Sequence, residues 1–199
     1  MIFYQLQKSL EVITAFIFLN LLWVIFCLPL VTIFPSTTAM FSVVREWKKS
    51  GVNFNVGRIF ILEFKQNFKQ SFILGIIWFI FGFILAIDFY YMINLSFFGK
   101  SVVLALLTFF AFIYLGMSIF ILPIVVNFKL SIKEILKNAF LFSIGRLVTT
   151  ISCLIIIASI VIIALLIPLI IWVIGSTIAF LVYTTISKLN KDLWTAANN

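Results

Sequence analysis

Few side chains in this sequence are equipped for chemistry, and their types point away from catalysis. Asp88 is the one ionisable residue inside a long apolar stretch. A charged group at the centre of a bilayer costs about 2.5–3.5 kcal/mol on insertion scales, so it turns toward a bundle interior or a cavity. Asp88 lies close to the end of its stretch, with Lys100 beyond it. Two readings stay open: a headgroup-level carboxylate, or part of an ion or substrate pathway. Asn20, Asn127, Ser176 and Thr177 are also polar and intramembrane. Such groups either bridge helices or hold a ligand. Asp88, Asn20 and Asn127 form the candidate polar site. Pro35, Ser36 and Thr37 form a candidate cavity turn. There a proline followed by hydroxyls either N-caps a second helix or lines a cavity.

Other chemistry has no carriers. There is no histidine, the commonest general base and metal ligand. Cys27 and Cys153 both sit in apolar surroundings and read as small buried hydrophobes. No P-loop, G-x-S-x-G, Cys/His cluster or pair of carboxylates at helical spacing occurs. The expectation is a protein that is not an enzyme and takes no cofactor or metal.

The elements that must position these residues are membrane spans. Hydrophobic residues make up 64% of the chain and charged residues 10%, against about 25% charged in soluble domains. Leu147 to Ser187 runs 41 residues without a charge. As one helix it would be roughly 60 Å long, twice the ~30 Å hydrocarbon core. It therefore divides near Pro168 into Leu147–Leu166 and Leu169–Ser187. With Val12–Phe34, Ser71–Ile93 and Val102–Val126 this predicts an all-α, polytopic bundle of about five spans in one membrane domain. The expected parts are a first span at 12–34, a loop with an amphipathic helix at 45–70 and a hairpin of spans at 71–126. A second amphipathic helix at 128–146, a second hairpin at 147–187 and a tail at 188–199 follow.

Basic residues set the expected orientation. Twelve of the 14 fall in 45–70, 128–146 and the tail, which the positive-inside rule makes cytoplasmic. The net charge of +8 then faces anionic lipid heads and calls for no nucleic acid. Five spans with a cytoplasmic C-terminus put the N-terminus outside. If Leu28 to Val44 instead dips in and returns, the N-terminus is cytoplasmic.

Both cytoplasmic segments carry an apolar stripe at helical spacing. Ile132, Ile135, Leu136, Ala139 and Phe140 make one, opened by Ser131 and Glu134 as a capping box. Phe60, Ile61, Phe64, Phe68 and Phe72 make the other. Shifted by 72 positions, Lys65, Phe68 and Ser71 fall on Lys137, Phe140 and Ser143. The match is either a coincidence of common residues or a parallel repeat of amphipathic helix, span out and span back. Each helix is either a lipid-surface anchor or a docking surface. In the second case Lys65, Phe68, Lys133 and Lys137 would meet a partner. Gly75, Gly82 and Gly116 permit close helix packing, within the chain or in a homo-oligomer.

Several stretches together resemble a known family. Asn20-Leu-Leu-Trp23, Leu28-Pro29, Pro35-Ser-Thr-Thr-Ala39 and Val43-Val-Arg-Glu-Trp47 match the opening signature of the YesL-like membrane proteins, which bear a domain-of-unknown-function label. Phe68-Lys-Gln-Ser71 with Leu74-Gly75 and Leu130-Ser-Ile-Lys133 through Phe140 continue it. In some relatives glycine stands where this chain has Phe34. The resemblance implies a multi-pass protein of the bacterial cytoplasmic membrane. Family genes neighbour ABC-type carbohydrate importers and sugar-responsive two-component systems. An accessory role in glycan import or sugar sensing follows, with an ABC transporter or sensor kinase as partner. A small autonomous transporter or channel at the repeat interface is the alternative. The resemblance assigns no site residue.

Overall fold

A computed structural model describes residues 2–52, 55–95 and 98–189, with the backbone alone for 2–6 and 8. The expected tail from 190 on, including Lys191, lies outside the described residues. The fold is all-α, as the apolar blocks predict. Among the described residues it has seven α-helices: α1 (Ile2–Cys27), α2 (Ile33–Ser50), α3 (Val56–Asn94), α4 (Lys100–Asn127), α5 (Ile132–Gly145), α6 (Leu147–Leu166) and α7 (Ile174–Leu189). Four of them, α1, α3, α4 and α6, have the length and composition to cross a bilayer. α7 is apolar and shorter.

The expected first span at 12–34 is not one helix. α1 stops at Cys27, because Pro29 supplies no N–H and holds Leu28 out of helical conformation. A 3-10 turn at Leu30–Thr32 reverses the chain into α2. Pro35 is tolerated there because it stands in the first turn of α2, where the N–H has no helical partner. The expected loop at 45–70 is likewise mostly helix: Arg45–Ser50 ends α2, and α3 starts at Val56.

α2 is the centre of the molecule. Ten of its residues are buried, from Pro35 to Trp47. It packs most closely on α3 and also touches α7, α4 and α1. Phe34 meets Gly75 at one end of the α2–α3 hairpin and Arg45 meets Glu63 further along, so the two helices run antiparallel. A Cβ on Gly75 would stand 2.6 Å from the Phe34 Cβ. That glycine, and Gly116 against Ser143 and Thr150, spend their close approach inside the chain.

α3 fuses the expected amphipathic helix and span into 39 residues, about 58 Å long. Its partner α4 returns beside it. Trp78 Nε1 donates to Ser118 Oγ at 2.9 Å, and the Tyr114 hydroxyl donates to Trp78 O at 3.2 Å. The second half follows the same order with one break. Arg146 leaves helical geometry at φ −124°, ψ 50°, and separates α5 from α6. α6 covers the expected 147–166. The following turn is longer than expected, a 3-10 segment at Pro168–Trp172, so α7 starts at Ile174 and not at Leu169.

α5 carries the expected capping box. Glu134 N–H donates to Ser131 Oγ at 3.4 Å, and the Glu134 carboxylate accepts from Ser131 N and Oγ at 2.8 and 2.7 Å. The Ser131 hydroxyl, then its N–H, hold the Glu134 carboxyl below its usual range. Its stabilising contribution is therefore complete above the unfolded pKa and is lost as pH falls through the lower folded one. Ser131→Ala is expected to raise the Glu134 pKa and fray the first turn of α5. An NMR titration of the Glu134 carboxyl that does not move would refute the box.

Candidate functional site

The candidate residues do not converge on one pocket. Asn20, on α1, is buried and binds the far end of the chain. Its Oδ1 accepts from Gly175 N at 3.0 Å and Ser176 N at 3.4 Å, and its Nδ2 donates to Ile171 O at 3.2 Å. It caps the N-terminus of α7 from another helix, taking up first-turn donors that have no helical partner. Ser176 donates back to Phe16 O at 3.0 Å. Asn127 closes the other end of this belt: its Oδ1 accepts from the Tyr183 hydroxyl at 2.9 Å, joining α4 to α7. Asn20 and Asn127 are thus helix bridges on two parts of α7.

Asp88 joins neither. Its side chain is exposed on α3. Lys100, expected near it, donates instead to Ile93 O at 3.0 Å. Of the two readings of each residue, the contacts match helix bridging for Asn20 and Asn127, and Asp88 stands apart as a carboxylate on the surface of α3.

The Pro35–Thr37 turn is corrected. α2 exists, but no side chain caps it. The hydroxyls point backward. Ser36 Oγ donates to Phe26 O at 2.9 Å, and Thr32 Oγ1 lies 2.6 Å from both Phe26 O and Pro29 O. They satisfy the carbonyls that α1 leaves open at its end. Thr37 accepts from Trp23 Nε1 at 3.1 Å and donates to Ile33 O at 2.7 Å. Pro35 and Ser36 are buried. The neighbouring groove of about 390 Å³ is walled by Leu30, Val31, Ile33 and Phe34 with Gly75, Ile76, Trp78, Phe79, Ile80 and Tyr114.

One junction escaped the sequence. Arg45 pairs with Glu63 at 3.2 Å and donates through Nη1 to Val126 O near the end of α4. Asn67 Nδ2 donates to the same Glu63 carboxylate at 2.9 Å. Arg45 thus ties α2, α3 and α4 together and offsets the partial negative charge at the C-terminus of α4. The signal for it is the spacing Glu63, Asn67, Ser71, one polar face at i, i+4, i+8 of α3. Ser42 and Ser71 are fully buried, and their hydroxyls have no partner among the described residues.

The proposed docking residues lie outside this core. Lys65, Lys133 and Lys137 are exposed. Phe68 is engaged on both sides, with ring centroids 5.4 Å from Phe64 and 5.7 Å from Phe72. Gln70 Nε2 donates to Leu130 O at 2.6 Å, which brings the basic end of α3 beside the start of α5. No group of three metal-ligating residues occurs among the described residues.

Fold and contacts together define an all-helical membrane bundle in which several polar side chains join neighbouring helices. Residues 16–89 match the family described as "Protein of unknown function, DUF624". The chain is 29% identical over 153 residues to the "Uncharacterized protein YteU" of Bacillus subtilis (strain 168), covering 75% of this chain and 68% of that protein. It is 28% identical over 132 residues to the "Uncharacterized protein YesL" of the same organism, covering 65% and 62%. Both alignments bear out the YesL-like resemblance of the motifs. No solved structure matches.

Proposed function

We propose that this protein is a non-enzymatic accessory subunit of the bacterial cell membrane that docks a carbohydrate importer of the ABC type, or a sugar-sensing kinase, through the basic faces of α3 and α5. The observation that carries the reading is an excess of exposed positive charge. Lys65, Lys69, Lys133 and Lys137 are exposed around the Gln70–Leu130 contact. Of the nearby carboxylates, Glu63 is paired with Arg45, and Glu134 is held by Ser131 within electrostatic reach of Lys137, which leaves the face net positive. Such a surface steers toward an acidic partner face. The sugar-uptake context rests on the YesL-like resemblance. In this reading the basic end and the C-terminus are cytoplasmic.

The test is co-purification from the native membrane in mild detergent. The triple variant Lys65→Glu, Lys133→Glu, Lys137→Glu is expected to lose the transporter or kinase and still insert as a folded protein. An undiminished complex would sink the docking surface. The transporter alternative predicts that Asp88→Asn abolishes flux in vesicles. The exposed position of Asp88, away from the helix-bridging groups, weighs against it.

A further inference from the structure

We infer that α1 and α2 form a re-entrant hairpin whose tip ends near the middle of the bilayer, so that this hairpin never reaches the far surface. α3 is the ruler. Its exposed Lys65 and Lys69 mark one interface. Asp88, with the exposed rings of Tyr90 and Tyr91, marks the other, as interfacial aromatics do. From Lys69 to Asp88 the helix rises about 28 Å, close to the ~30 Å hydrocarbon thickness.

The tip of α1–α2 meets this ruler halfway. Leu30, Val31, Ile33 and Phe34 wall one groove with Gly75 and Ile80. Ile80 lies below Asp88 by about 12 Å and Gly75 by about 20 Å, measured along the helix. A tilt of α3 shortens these depths and keeps their order.

The tip is built for hydrocarbon. No charged residue occurs from Val12 to Val44. Leu30 is 79% exposed and Val31 66%, a poor arrangement for a loop in water. Irregular backbone is tolerated at that depth only where its polar groups are paired internally. Here they are. Thr32 N–H donates to Pro29 O at 2.8 Å and Leu28 N–H to Ile25 O at 3.3 Å. The Ser36 and Thr32 hydroxyls cover Phe26 O and Pro29 O. In the groove wall, the Trp78 indole N–H and the Tyr114 hydroxyl are likewise engaged. The proline- and hydroxyl-rich motif thus serves to end a hairpin inside lipid. It follows that the start of α1 lies on the same side as Lys48, Lys49 and the end of α7.

Single cysteines placed in a protein lacking Cys27 and Cys153 test this. Lys49→Cys and Phe98→Cys are expected to react with a membrane-impermeant maleimide from opposite sides of sealed vesicles. Leu30→Cys and Val31→Cys should react from neither. Nitroxide labels at both tip positions should show the oxygen-rich, nickel-chelate-poor collision pattern of the bilayer interior. Labelling of either tip position from the Phe98 side, or a headgroup-depth signal, would make α1 and α2 full crossings and overturn the inference. Labelling from the Lys49 side would overturn it as well, by placing the tip in water.

Discussion

Arg45→Met is expected to destabilise the bundle by about 3 kcal/mol, the lower end of what removing one partner of a buried ion pair costs. The lower end applies because the pair is not sealed: the two side chains are 22% and 16% exposed. Two losses combine. The Glu63 carboxylate keeps only Asn67 as a charge-satisfying neighbour. Val126 O, near the C-terminus of α4, loses its guanidinium donor. Methionine preserves most of the apolar stem, so packing changes contribute little. Adding Glu63→Gln removes the stranded charge, and the double variant should recover part of the loss. The measurement is thermal or denaturant unfolding in detergent, run as a double-mutant cycle. A single variant within about 0.5 kcal/mol of the parent, the range of ordinary surface changes, would show that the junction is incidental.

That junction also marks where the sequence stops being readable. Arg45-Glu46-Trp47 at the end of an apolar block reads as an interfacial stop. Its partners lie 18 and 81 positions away; the polar face Glu63, Asn67, Ser71 marks one side of the junction but does not point to Arg45. By contrast, the Ser131–Glu134 box is legible because both halves lie within one turn. The end of α6 at Leu166 is legible because Pro168 forces it. The first block misleads for a related reason. Hydropathy runs through Pro29 without a dip, so apolarity predicts one span where backbone chemistry makes a turn. Pro29, Thr32 and Ser36 are visible in the sequence. What is not visible is that the hydroxyls turn back to Phe26 O, since the same residues serve equally as helix caps. The docking lysines fall beside the apolar stripes of α3 and α5. For the same reason, their exposure follows from the helical stripe and their partner does not.

Asn20→Leu carries the second large effect, an expected loss of about 3–5 kcal/mol. Leucine is close to asparagine in size and suits the hydrocarbon, so burial by itself would favour the variant. The polar account outweighs it. One amide side chain pairs Gly175 N, Ser176 N and Ile171 O, all on the α6–α7 side of the bundle. Each group left unpaired away from water costs about 1–3 kcal/mol. No neighbouring side chain is spare: Ser176 Oγ already donates to Phe16 O, and Trp23 Nε1 to Thr37. Gly175 reports the same fit from the other side, because a Cβ there would stand 2.7 Å from the Asn20 Oδ1. Gly175→Ala should therefore reproduce much of the Asn20→Leu defect while leaving the amide in place. Leu21→Asn, one residue along on the exposed face of α1, controls for polarity alone. Unfolding curves with hydrogen exchange at the first turn of α7 separate the outcomes. Fast exchange at Gly175 and Ser176 in Asn20→Leu, with α3 unchanged, is the expected signature. Protection equal to the parent's would mean that α7 is held by its apolar face and not by this cap.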